Sequence, residues 1–330
     1  MAYCFNINYS KKFSGKKLNN IFQFLNKFYL MISLNEKTGI VLALTSAAMW
    51  GIFPVLVNRG VQIIPPITFA AITTLLAALG AFIYATATGK LHELKNKKSY
   101  TSLFMVTLCI IIIPYILFFI GSSKTSGINS SMLLLSEIIF TLFFTPLIGE
   151  KTTLSKLAGA SGIFIGSIFI LYRGSFSLNL GDILIIFSTV TYPVGNFYAK
   201  KALNYVSPAI ILLVRFLLGG LFILFFALIT ESQIETGGII LQNWLLILFT
   251  GLVLLGIGKV IWYEGLKRLD ISKAISLAMT FPLFSLLILI VFFNEIPSLI
   301  QSFGILIMIT GTYFSIRRPS INPVLTKYAT

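Results

Sequence analysis

Ionisable side chains are rare inside the long apolar stretches of this chain, and those found there are the first candidates for chemistry. Four stand out: Glu137, Arg215, Lys259 and Glu264. A charge at the centre of a bilayer costs at least about 2.5–3.5 kcal/mol, so each must be paired, hydrated or used. Glu137 lies midway along its stretch, with Ser126, Ser130, Thr141 and Thr145 at helical spacing from it. Together they read as one polar stripe, which would face a bundle interior or a water-filled cavity rather than lipid. The alternative is a packed acid, protonated or hydrogen-bonded to a neighbouring helix. Arg215 can supply a fixed positive charge for a carboxylate or phosphate, or pair with Glu137; equally, its long stem can snorkel outward. Lys259 lies near the end of its stretch, where snorkelling and ligand contact both fit. Tyr263 shares its helix face at i, i+4. Glu264 reads as an interfacial acid beside Lys267 and Arg268. Trp50 and Tyr192 are the aromatic candidates for a cavity wall, although with 30 Phe and 13 Tyr most rings must be packing or interfacial anchors.

The elements that would position these residues follow from composition. Hydrophobic residues make up 57% of the 330, charged residues 11%, and mean hydropathy is +0.93, far from a soluble domain. The apolar blocks have the length of a helix crossing roughly 30 Å of hydrocarbon. No alternating apolar/polar pattern supports a membrane barrel. The expectation is an all-α polytopic membrane protein with ten spans, near 38–58, 66–87, 101–121, 127–148, 155–172, 181–200, 207–230, 243–264, 271–293 and 297–316. Short breaks of turn formers or charge separate them. Pro54, Pro114 and Pro193 fall inside spans, where they can kink or loosen a helix.

The chain also repeats itself. Gly149-Glu150 is followed by Gly159 and Gly166, and Asn294-Glu295 by Gly304 and Gly311, an offset of 145 in each case. Gly39, Trp50, Pro66 and Ala77 match Gly181, Tyr192, Pro208 and Gly219 at an offset of 142. Lys and Arg set the orientation. With the N-terminus inside, twenty fall in inner segments and only Arg59, Lys124 and Arg173 in outer loops, a strong positive-inside bias. Five spans per repeat is odd, so the second half enters from the opposite side: an inverted repeat. Repeat 1 is expected over 38–172 and repeat 2 over 181–316, with both termini cytoplasmic, in a cell (inner) membrane. Gly162 and Gly166 form a small-xxx-small pair suited to close helix contact. Glu150 and Glu295, at helix ends, are expected to cap the helix that follows each.

Residues 1–37 form a basic extension. Its apolar part, 19–34, is too short and interrupted to span, so it is either an interfacial helix on the inner leaflet or sequence preceding a true start at Met31. Residues 317–330 form a cytoplasmic tail. The net charge of +15 is a topology signal first; anionic inner-leaflet lipid is an expected partner and nucleic acid is not. Cys4 and Cys109 offer neither a disulfide framework nor a zinc spacing, and His92 has no neighbouring ligand type. No metal or cofactor is expected. Gly121-Ser-Ser-Lys124-Thr is not a nucleotide-binding loop, so any drive must come from a gradient or from exchange. Neither half needs a partner chain to complete a bundle.

These features resemble the EamA family of the drug/metabolite transporter superfamily, over about residues 38–316. The marks are Ala48-Met49-Trp50-Gly51, the ends of the fourth and ninth spans at Gly149-Glu150 and Asn294-Glu295, and the glycine-rich fifth and tenth spans. The resemblance implies a ten-helix carrier with a central cavity between two inverted halves. Some relatives carry S-adenosylmethionine. One departure matters: Arg215 has Thr73 as its counterpart, and Glu137 has Pro282, so the two halves differ at positions facing the middle.

The expected function is a secondary carrier of a small metabolite, an amino acid or amino-acid-derived zwitterion such as S-adenosylmethionine, with Glu137 as the group for any proton or ion coupling. A multidrug exporter is the runner-up, since a hydrophobic cation needs only Glu137 and aromatics. A transport-inactive scaffold or sensor is the reading from another class. An enzyme is not expected, because the acids are dispersed and the lone histidine lies in a loop. The candidate substrate-binding residues are therefore Glu137, Arg215, Trp50, Tyr192, Ser130, Thr141, Lys259 and Tyr263.

Overall fold

A computed structural model describes residues 15–144, 154–171, 179–232, 236–266, 268–269, 277–278 and 280–316, with most of the side chains from Glu36 onward. Among these residues the chain is helical and contains no strand. Six helical stretches are long and apolar enough to cross a bilayer. They are α1, whose crossing part is Glu36–Gly60, α2 (Pro66–Ala87), α3 (Lys97–Ser122), α6 (Leu180–Ala202), α7 (Pro208–Thr230) and α8 (Trp244–Gly265). Shorter apolar helices complete the set. In α4, Gly127–Met132, a 3-10 turn Leu133–Ser136 and Glu137–Phe144 run head to tail, and α5 (Leu154–Leu171), α9 (Phe281–Phe293) and α10 (Leu299–Ile316) follow. The expected spans 127–148, 155–172 and 271–293 each include residues outside the described set. α1 begins at Gly15 and runs unbroken to Gly60, so the extension continues into the first span without a break at 37. The protein is a multi-pass membrane protein.

Packing exchanges elements between the halves. α2 lies along α7, and α5 along α10. The second part of α3 packs on the first part of α6, just as the second part of α8 packs on α1. The α5–α10 contact explains the glycine pattern. A side chain at Gly166 would meet the Gly304 carbonyl at 2.6 Å, and one at Gly311 would meet the Gly159 carbonyl at 2.6 Å. Backbone touches backbone here, and only glycine permits it.

The α2–α7 pair is held by reciprocal caps. After α7, Glu231 reaches the start of α2 and accepts hydrogen bonds from Ile67 N (2.8 Å), Thr68 N (2.7 Å) and Thr68 Oγ1 (2.7 Å). After α2, Glu93 accepts from Ser207 N at the start of α7 (2.5 Å). Pro66 and Pro208 open these helices, and each leaves orphan N–H groups that an acid satisfies with favourable dipole geometry. An acid that follows one helix can cap the other only if the two run antiparallel, as an inverted repeat requires.

Both third helices of the halves carry a wide π-helical turn, Thr107–Ile112 in α3 and Phe249–Ile257 in α8. In α3, Pro114 removes a backbone donor from the next turn. The widened turn leaves Cys109 O to accept from Thr191 Oγ1 of α6 at 2.8 Å. In α8, Gly251 lets the turn seat against the Thr73 backbone of α2. α6 breaks at Thr189–Thr191 and restarts at Tyr192 with Pro193 in its first turn, where proline is tolerated. Tyr192 thus stands at a mid-helix break.

Candidate functional site

Four helices meet at a polar group in the middle of the bundle, and two more reach its edge. Glu137, first residue of the last part of α4, accepts a hydrogen bond from Asn196 Nδ2 of α6 at 3.1 Å. Lys259 of α8 places Nζ 3.6 Å from the centroid of the Trp50 ring of α1, and Trp50 stacks on Phe53 at 5.2 Å. Lys259 is close enough to feel the charges of both Glu137 and Arg215. Tyr192 lies within the same reach of Glu137, Arg215 and Tyr115 of α3. Trp50, Glu137, Tyr192 and Lys259 are all half-buried, and Asn196 is exposed. Side chains that converge from both halves cannot point at lipid. They meet one another inside the bundle, the setting in which polar groups survive at membrane depth.

Snorkelling does not describe Lys259. Its ammonium turns inward onto Trp50, a contact of about 0.5–2 kcal/mol depending on desolvation. Nor does it describe Arg215, which is 6% exposed, with its guanidinium carbon 4.8 Å from the centroid of the Phe216 ring. Glu264, expected as an interfacial acid, makes its bonds away from the central group. It pairs with Arg268 (2.9 Å) and accepts from Tyr84 Oη of α2 (2.6 Å).

The polar stripe along α4 is not continuous. Ser126 caps the helix by accepting from Asn129 N. Ser130 is wholly buried, and its hydroxyl lies 2.6 Å from that of Ser122 in α3. The 3-10 turn Leu133–Ser136 separates them from Glu137. Four residues at three per turn rather than 3.6 add roughly 80° of rotation, which swings Ser130 off the Glu137 face. Thr141 and Tyr263 are half-buried, and Tyr263 packs against the main apolar core; neither has a bond linking it to the Glu137 group. Thr145 lies outside the described residues, as does Glu150.

Sequence reasoning missed Asn196, Tyr115 and Asp182. Asn196 is four residues beyond Tyr192, on the same helix face, and that spacing could have found it. Asp182, 1% exposed, accepts from Thr125 Oγ1 (2.5 Å), from Asn129 Nδ2 (2.7 Å) and, at its backbone, gives its N–H to Asn179 Oδ1 (2.7 Å). It belongs to the opposite end of α6 from the Lys200–Lys201 pair. At that same end Glu295 corrects an expectation. Instead of capping α10, it accepts from Ile128 N of α4 (2.9 Å) and pairs with Arg59 of α1 (2.9 Å). The sharp turn at Asn294, with φ 51°, directs it there. Asn58 adds bonds to Ser122 O (2.7 Å) and Thr125 O (3.0 Å), and Arg59 stacks on Phe293 at 4.5 Å. This end of the bundle is tied shut.

Comparison with known proteins agrees with this architecture. The sequence model of the EamA-like transporter family matches residues 37–172 and again 179–317. The uncharacterized transporter YvbV of Bacillus subtilis (strain 168) is 24% identical over 281 residues, covering 83% of this chain and 90% of that one. An uncharacterized transporter of Archaeoglobus fulgidus is 25% identical over 290 residues, covering 86% and 98%. One solved crystal structure, at 18% identity, superposes with a TM-score of 0.63 over 84% of this chain and 95% of its own, and shows the fold. With two family matches spanning most of its length, the chain belongs to the EamA-like transporter family.

Proposed function

We propose that the protein is a secondary carrier for a small amino-acid-type zwitterion, S-adenosylmethionine among the candidates, moved by alternating access. One observation supports this most: an acid with an amide beside it (Glu137, Asn196) and two cations (Lys259, Arg215) converge from both halves on one polar group. A site between inverted repeats is positioned so that rocking one half against the other exposes it to each side in turn. The tied end, at Arg59, Glu295 and Ile128, is the outer end by the positive-inside assignment, so this conformation would open toward the cytoplasm of a cell-membrane protein.

Glu137 is the group to which we assign proton or ion coupling, since it can accept an ammonium, a proton or the Lys259 charge in exchange. A multidrug exporter of hydrophobic cations is disfavoured because Lys259 and Arg215 place two positive charges where such a compound would bind. The test is counterflow in proteoliposomes loaded with labelled amino acids, S-adenosylmethionine or a cationic dye. Saturable exchange of a zwitterion, lost in Glu137→Gln, is the expected result. Transport of the dye alone would overturn the substrate class.

A further inference from the structure

Arg215 and Lys259 are the charges of the described core that meet only an aromatic ring, and Arg215 is the more deeply buried of the two. Glu137 has Asn196, Lys259 has the Trp50 ring, Glu295 has Arg59, and Asp182 has Thr125 and Asn129. Arg215 is 6% exposed, its Nε is wholly buried without a partner, and no hydrogen bond or ion pair to any described residue satisfies its guanidinium. Its Nε–H thus lies buried beside Phe216 without an acceptor, and none of its other four N–H donors has a bond to a described residue. A cation–π contact does not offset the several kcal/mol needed to desolvate an ion. A packing role gives no reason for the charge either, because replacing a buried ion with an apolar side chain of similar volume is often neutral or stabilising.

We propose that Arg215 is the docking point of the substrate's anionic group, and that this group is a carboxylate. The planar guanidinium matches a carboxylate with two parallel N–H···O bonds, which a lysine cannot reproduce. Charge arithmetic favours a single negative charge. Arg215 carries one charge with no counter-ion among the described residues, so one carboxylate answers it locally. A phosphate dianion would overshoot and meet Glu137. Lys259 feels the charges of both Arg215 and Glu137, so it lies between them, and an ammonium on the same small molecule would fall toward Glu137 and Asn196. The inference rests on the carrier reading and narrows it: the carboxylate is the obligatory recognition element.

Thermal unfolding of the full chain in lipid nanodiscs tests it, with glycine, L-alanine, L-leucine, L-phenylalanine and L-methionine each measured beside its carboxamide, and with acetate and inorganic phosphate as further arms. At least one acid should raise Tm while its amide does not. Arg215→Gln should weaken that response roughly tenfold to hundredfold, the value of bonds to a charged group, and Arg215→Lys should keep part of it. The ligand-free Tm of Arg215→Gln should equal or exceed that of the wild type. The assignment is overturned if acid and amide act alike, if phosphate alone stabilises, or if Arg215→Gln keeps the response. A marked fall in its ligand-free Tm would also overturn it, by showing a structural ion. The acid–amide comparison needs no variant, so poor folding of one does not block the test. Carboxylates that bind through Arg215 but show no counterflow would sink the carrier reading and keep this one. Counterflow that survives Arg215→Gln would do the reverse.

Discussion

The tied end of the bundle and its polar centre are built from the same residue types to opposite effect. At the tied end, every described acid meets donors: Glu295 takes Ile128 N and Arg59, Asp182 takes Thr125 and Asn129, and Glu231 takes Ile67 and Thr68. At the centre, among the described residues, Glu137 has a single amide, Lys259 has a ring, and Arg215 has a ring and no acceptor. Satisfied charges in a membrane protein hold helices together. Unsatisfied ones store binding capacity at the cost of stability.

Substitutions can break or sharpen this contrast. Asp182→Ala should have the largest effect, because it strands two donors whose bonds to a charged acceptor are worth about 1.5–3 kcal/mol each. Thermal unfolding should show a steep loss of Tm; a loss smaller than that of any central variant would break the contrast. Glu295→Ala comes next, with about 1–2 kcal/mol expected from the lost cap and a part-exposed ion pair. Glu295→Gln should recover most of the cap, and equal Tm for the two variants would locate the energy in the ion pair instead. Lys259→Met should change Tm little while lowering zwitterion counterflow at least tenfold, which transport and unfolding assays on one preparation would separate. Unimpaired counterflow would remove Lys259 from the site.

The smallest effect is expected from acid. Burial pushes the Glu93 carboxyl up, but the Ser207 N–H and the Lys90 ammonium outweigh it and hold the group below its ordinary value of 4.5. A carboxyl depressed in the folded state contributes stability that is fully present above the unfolded value and is lost as pH falls through the folded one. The acid limb of a Tm–pH curve should therefore flatten below about pH 4.5 in Glu93→Gln. An unchanged limb would show that the α7 cap contributes nothing.

Much of the architecture was legible because its causes are local. Long apolar stretches and Lys-rich breaks follow from the hydrocarbon thickness and the charge asymmetry of insertion. Gly162 and Gly166 signalled a close helix contact, which proved to be the α5–α10 crossing. Glu137, Trp50, Tyr192, Lys259 and Arg215 were singled out by type and depth, and the structure brings them together. Ser130 was misread because a helical wheel assumes one rotation per residue, and the 3-10 turn ahead of Glu137 breaks that assumption. Glu295 was assigned to its own helix because sequence proximity is the only neighbour relation a sequence shows.

The sequence by itself determined that the chain is a duplicated, helical, multi-pass membrane protein with a few charges that must be accounted for. Hydropathy, spacing and charge asymmetry act over one helix at a time, so they can be read along the chain. Only the tertiary structure decided which charges are answered and which are not. Glu231 finds α2, Glu93 finds α7, Glu295 finds α4, and Arg215 finds no acceptor among the described residues, because partners in a packed bundle are set by helices crossing between halves, at separations a linear pattern does not encode.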